Sequence, residues 1–194
     1  MRFVKKILIF ILAAIPVLLL VHILIHTILF EKEATTPSGL EYTNRKWSYS
    51  IELSNDWKRT LRFISQVIWL TNVIEFSNEK ADLSLQISWN EFLEEDSKNL
   101  MKFVQDDAKY GEQNQQIITK EIEEISRTNE QWMVKWQGQD IEGGFIQYYI
   151  SDELDPENDI IHKLYFSSKE PFTDPQKFEV NKALNSFKMI RPSP

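Results

Sequence analysis

Between Ala81 and Trp89 apolar and polar residues alternate without a break: Ala81, Leu83, Leu85, Ile87 and Trp89 against Asp82, Ser84, Gln86 and Ser88. Side chains on a strand point to opposite faces in turn, so this run has one dry face and one wet face. A helix would scatter the same residues round its whole circumference. The chain is therefore committed to a sheet with a distinct inner side. Trp47, Tyr49, Ile51 and Leu53 repeat the pattern against Lys46, Ser48, Ser50 and Glu52. Val73 to Phe76 reads as a strand, Ser77-Asn78-Glu79-Lys80 as a turn, and the pair with 81–89 as a hairpin. Further strands are expected at 117–125, 131–137, 145–151 and 160–167. The short connections between them favour antiparallel neighbours.

Helical spacing occurs in three places. Leu61, Ile64, Val67 and Ile68 suggest a helix over 57–68. Leu100, Met101, Val104 and Ala108 make one stripe over 96–109, capped by Asp96 or Ser97 and ended by Gly111. Val180, Ala183, Leu184 and Phe187 make another over 175–187, with Asp174 as N-cap and Pro175 as first residue. The order β, α, ββ, α, ββββ, α predicts an α+β domain, a mostly antiparallel sheet with helices packed on it.

Residues 7–30 carry no charge; Arg2, Lys5 and Lys6 precede them and Glu31 ends them. As one helix, at ~1.5 Å per residue, the run reaches ~36 Å, enough for a ~30 Å hydrocarbon core with tilt. It is longer than a cleaved signal's core and no clean small-residue cleavage site follows, so an uncleaved signal anchor over 1–30 is expected. The cationic flank predicts a cytoplasmic N-terminus and an extracytoplasmic C-terminal domain at the cell membrane. His22 and His26 share a face of this span near its outer end, where neutral imidazole is tolerated. Thr35, Thr36, Pro37, Ser38 and Gly39 mark 31–41 as a linker, leaving 42–190 as the domain and 191–194 as a tail.

The net charge is −7; setting aside the three cations of the first thirty residues leaves −10 for 31–194. Such an acidic domain argues against nucleic acid and anionic lipid headgroups as partners. There are no cysteines, so neither disulfides nor thiolate chemistry is available.

Trp47-Ser48-Tyr49-Ser50-Ile51-Glu52-Leu53, broken at once and followed by Trp57, resembles the opening of the PsbP-like family, which includes the DcrB-type proteins. Val180-Asn181-Lys182-Ala183-Leu184-Asn185-Ser186-Phe187-Lys188 is similar to that family's closing helix. The resemblance covers about 41–190, and departs at Ser54-Asn55-Asp56, where the family's usual proline before the Trp is missing. It implies an α/β/α sandwich, a central sheet with flanking helices, used as a binding or accessory module. It implies no reaction.

Chemistry is sparse. Ser-His-acid catalysis needs a histidine in the domain, and His162 lies in a strand pattern with Leu164 and Phe166 on its face, as a packed residue would. One such histidine and no cysteine make a zinc site improbable, and the five glycines form no phosphate-cradling spacing. Asp155, Glu157 and Asp159 alternate in a turn and are the weak metal candidates. They lack the glycine and glutamate of an EF-hand loop. Trp89, Trp132 and Trp136 are candidates to line a ligand groove, although aromatics on strand faces more often fill cores. The expectation is a membrane-anchored, extracytoplasmic, non-enzymatic binding or accessory module with no cofactor and a protein partner in the cell envelope. A carboxylate hydrolase acting on envelope glycans and a calcium-binding accessory domain are the alternatives.

Overall fold

The computed structural model describes residues 14, 15, 17, 21, 31–60, 73–91, 99–115, 119–128, 131–139, 143–152 and 160–190. Strands β1 (Glu31–Thr36), β2 (Gly39–Asn44), β3 (Tyr49–Leu53), β4 (Lys58–Thr60), β5 (Val73–Asn78) and β6 (Leu83–Glu91) come first. Helix α1 (Leu100–Gln115) follows, then β7 (Thr119–Arg127), β8 (Gln131–Gln139), β9 (Gly144–Asp152) and β10 (Ile160–Ser168). Helix α2 (Asp174–Ser186) and a short β11 (Lys188–Met189) close the chain.

The strands form two sheets. The larger runs β4-β5-β6-β10-β9-β8-β7 and the smaller β1-β2-β3-β11, with every neighbouring pair antiparallel. The alternating run becomes β6, and its turn from β5 is built locally. Asn78 Oδ1 accepts the Ala81 N–H at 3.1 Å, and Asp82 takes a left-handed φ of 49°, which a short polar side chain tolerates. β10 joins this hairpin to the β7–β8–β9 meander, and its Ile161, Leu164 and Phe166 are fully buried.

Each face of the large sheet has its own core. On one face Leu83, Leu85, Ile87, Ile146, Tyr148, Ile150, Leu164 and Phe166 meet Tyr42, Tyr49, Ile51 and Leu53 of the small sheet. Val180, Ala183 and Phe187 of the α2 region complete that layer. On the other face Leu100, Val104 and Ala108 of α1 pack on Trp132, Val134, Trp136, Phe145, Tyr149 and Ile161. Trp57, just after β3, meets α2: its indole N–H donates to Glu179 Oε2 at 3.4 Å, as does the Ser54 hydroxyl at 2.8 Å.

An α/β/α sandwich with flanking helices is therefore not what forms. One face of the main sheet carries a helix, but the other carries a second sheet with α2 beside it. The reason lies in 31–44. The expected linker pairs as β1 and the start of β2, turned through Gly39 at φ +152°. There a Cβ would sit 1.8 Å from the Leu53 carbonyl oxygen, so only glycine fits. Leu40 and Tyr42 then bury themselves against the large sheet. Lys58–Thr60, expected at the start of a helix, pairs with β5 instead; the remainder of that expected helix lies outside the described residues.

The transmembrane expectation is also corrected. Among the described residues no helix is long and apolar enough to cross a membrane. A span needs about 20 consecutive apolar residues in one helix, and no described helix supplies them. The signal anchor, the membrane as partner and the extracytoplasmic placement of the domain fall with it. The rest of 7–30, with Pro16, His22 and His26, lies outside the described residues.

Both helix starts differ by a residue or more from expectation. Asn99 caps α1, its Oδ1 accepting the Lys102 N–H at 3.1 Å. The helix then runs through the buried Gly111 to Gln115. Thr173 precedes α2, its N–H donating to Gln176 Oε1 at 2.8 Å.

Candidate functional site

Helix α1 packs over β7, β8 and β9. Beside it, on the same face of the sheet, an open groove of about 740 Å³ runs over β6, β10 and β9. Its floor is the polar half of the strand alternation. Ser84, Gln86 and Ser88 come from β6, Lys163, Tyr165 and Ser167 from β10, and Gln147 from β9. Registry fixes how they meet: Ser84 lies opposite Ser167, and their hydroxyl oxygens are 2.6 Å apart. Gln86 Nε2 donates to Glu75 Oε1 on the neighbouring strand at 3.1 Å.

Asp107, Tyr110 and Gly111 of α1 form one wall. Asp107 Oδ2 accepts from Lys163 Nζ at 2.7 Å and from the Tyr149 hydroxyl at 2.7 Å. The Lys163 ammonium also lies 5.2 Å from the Phe103 ring centre and 5.3 Å from that of Tyr149. Burial, and then the Asp107 charge, push the Tyr149 phenol well above its usual range, so it stays a neutral donor. Asp107 is thus held by two donors, and Lys163 has its counterion.

Aromatic rings cross the floor toward the other wall. Phe145 stacks on Tyr165 with centres 6.0 Å apart, and Trp136 meets Phe145 edge-on at 5.0 Å. Trp136 is 4 % exposed, and its indole N–H has no hydrogen-bond partner among the described residues. At the mouth Lys169 pairs with Asp82 at 3.3 Å. Gly143, at φ +145°, lets β9 start where a Cβ would lie 2.0 Å from the Ser168 carbonyl oxygen.

The three tryptophans named as groove candidates do not come together. Trp136 lines the groove. Trp132 shares its strand face but is packed under α1, with Nε1 donating to Glu124 Oε2 at 2.9 Å and the Arg127 guanidinium 3.9 Å from its ring. Trp89 is on the opposite face, stacked on Trp47 at 4.1 Å. Asp155, Glu157 and Asp159 lie outside the described residues. Among the described residues no group of three or more His, Cys, Asp or Glu could hold a metal ion. His162 is 2 % exposed between the sheets, away from the groove, with Nε2 donating to the Trp47 carbonyl at 2.8 Å. The floor itself escaped sequence reasoning. Its polar positions read as an ordinary wet strand face, and only the pairing of β6 with β10 brings Ser84, Gln86 and Ser167 together.

No protein-family model matches the chain, and no curated protein matches it. Among solved structures it is similar to the Ran-binding protein Mog1p of Saccharomyces cerevisiae, at 9 % identity and a TM-score of 0.46, over 82 % of this chain and 95 % of that one. That likeness assigns no ligand and no activity to this chain.

Proposed function

We propose that the chain is a PsbP-like, non-catalytic binding or accessory module whose ligand sits in the groove beside α1. The observation that carries this is the groove itself: about 740 Å³, in the range of ligand sites, over the central strands of a rigid sheet. Its ionised groups support binding over catalysis. Asp107 is committed to Lys163 and Tyr149, so these groups act as fixtures of the wall. The PsbP-like reading draws support from the two segments that carry the resemblance, since Trp57 and α2 pack on each other through Glu179.

The test is an NMR titration of the isotope-labelled full chain with a mixed library of small polar and aromatic fragments. Shifts clustering on Gln86, Gln147 and Lys163 are expected. Perturbations confined to other surfaces would sink the groove as the binding site. Turnover of any bound fragment would sink the non-catalytic reading.

A further inference from the structure

We infer that the groove takes a neutral, hydroxyl-rich chain, in chemical terms an uncharged oligosaccharide. This rests on the groove being the binding site and names what it binds. Of the cations that line it, Lys163 is held by Asp107 at 2.7 Å with its side chain 11 % exposed, and Lys169, 3.3 Å from Asp82, stands out in solvent where its charge is screened, so neither offers a phosphate or carboxylate ligand a desolvated partner. The chain's net charge of −7 works against an anion as well.

The neutral side chains of the floor match hydroxyls in kind. Gln147 offers amide donors and an acceptor, Gln86 an acceptor and the amide hydrogen not given to Glu75, Ser88 a hydroxyl, and the bonded Ser84–Ser167 pair its remaining lone pairs and hydrogen. A sugar's neighbouring hydroxyls need that mixture. Trp136, packed edge-on against Phe145, closes the aromatic side of the groove. Tyr110, 68 % exposed on the α1 wall, presents a ring for the apolar face of a sugar.

A peptide fits less well by either of its common modes. Strand addition uses a sheet edge, whereas β6, β10 and β9 are interior strands whose backbone groups are paired on both sides. Helix docking wants a continuous apolar groove, and here serines, glutamines and the Asp107–Lys163 pair interrupt the aromatic rings.

The experiment uses the full chain, titrated by calorimetry and NMR with uncharged hexasaccharides of glucose, mannose, xylose and N-acetylglucosamine. A heparin hexasaccharide and an uncharged Gly-Ser hexapeptide serve as contrasts. At least one uncharged sugar should saturate and shift Gln86, Gln147 and Tyr165. Gln86→Ala should weaken it tenfold or more. Tyr110→Ala, which removes the exposed ring, should weaken it severalfold, and Trp132→Phe, outside the groove, should leave it unchanged. Circular dichroism of each variant separates lost binding from lost folding, and shift mapping on the unaltered chain stands even if a variant unfolds. Groove shifts with heparin or peptide but none with uncharged sugars overturn the sugar assignment and leave the groove reading intact. No groove shifts with any probe overturn both. Sugar binding mapped to another surface overturns the assignment too.

Discussion

His162 shows how one side chain can set the pH response of the fold. It is enclosed by Tyr49 and Phe187, with ring centres 5.5 and 5.6 Å away. Because Nε2 donates to the Trp47 carbonyl, Nδ1 is the bare nitrogen, and it too is buried without a partner among the described residues. Burial lowers its pKa; the Trp47 hydrogen bond and the Asp152 charge oppose that without reversing it. The unfolded chain, with a histidine pKa of about 6.5, therefore binds this proton more readily than the folded one. Stability from this group is complete above that value and declines as pH falls from it toward the lower folded pKa. The urea midpoint should be lower at pH 5.5 than at pH 7.5, and His162→Gln should flatten the difference. An unchanged pH dependence in the variant would assign it to other groups. Gly143 is a second residue whose identity is fixed by its surroundings. Gly143→Ala must relieve both a φ of +145° and a 2.0 Å contact with the Ser168 carbonyl oxygen. A cost of about 2–4 kcal/mol in urea unfolding is expected, since strain and clash add.

At the scale of elements, a polar side chain ties each helix to the larger sheet. Gln176 of α2 is 8 % exposed; its amide donates to the Ala81 carbonyl at 2.7 Å and to Ser168 Oγ at 2.9 Å. Gln176→Glu keeps the shape but turns that donor into a carboxylate facing a carbonyl. A loss of about 2–3 kcal/mol follows from the buried groups left unsatisfied, and a denaturation midpoint equal to wild type would mean the site is solvated after all. Asp107 does the same for α1. Removing it in Asp107→Ala strands Lys163, whose side chain is only 11 % exposed. Discounted for the partial exposure of Asp107, the cost is about 1–3 kcal/mol. Hydrogen exchange should show α1 amides losing protection first, and Lys163→Met on top should restore part of it. Uniform loss across the molecule would argue against a local pin. These elements were legible where the pattern is local. The strand patterns gave β3, β5, β6 and β8–β10 to within two residues at either end, and the stripes of Leu100–Ala108 and Val180–Ala183 gave α1 and α2. The sequence does not single out Asn99 as the cap, because Asp96 and Ser97 are equally good candidates three and two residues earlier. The α1 helix outran its expected stop because Gly111 is only mildly costly inside a helix, about 1 kcal/mol against alanine.

For the whole molecule, the least legible feature was the partnership of two sheets, because it depends on which distant strands meet. Nothing local in Glu31-Lys32-Glu33-Ala34-Thr35-Thr36 announces a strand: it contributes no residue to either core and pairs only with β2. The same holds for the groove, whose floor exists only once β6 and β10 are neighbours. What ties β1 to the larger sheet is an ion pair. Arg59, on the edge strand β4, reaches Glu31 at 2.5 Å, with the two side chains 10 % and 12 % exposed, and lies 5.1 Å from the Tyr42 ring. Glu33 is within 3.9 Å. The outer strands of the two sheets are thus clasped by a pair largely withdrawn from water. Breaking such a pair leaves a charge uncompensated, whereas replacing both partners with apolar groups removes the need for compensation. Arg59→Met alone should cost about 2–4 kcal/mol, and Glu31→Leu alone a similar amount. The double variant should recover most of either loss, and a double-mutant cycle in urea should give a coupling well above zero. High salt should barely change the wild-type clasp, unlike the exposed Lys80–Asp56 pair. If the double variant is as unstable as the sum of the singles, the clasp carries no coupling, and the two sheets are held by their shared aromatic and aliphatic core alone.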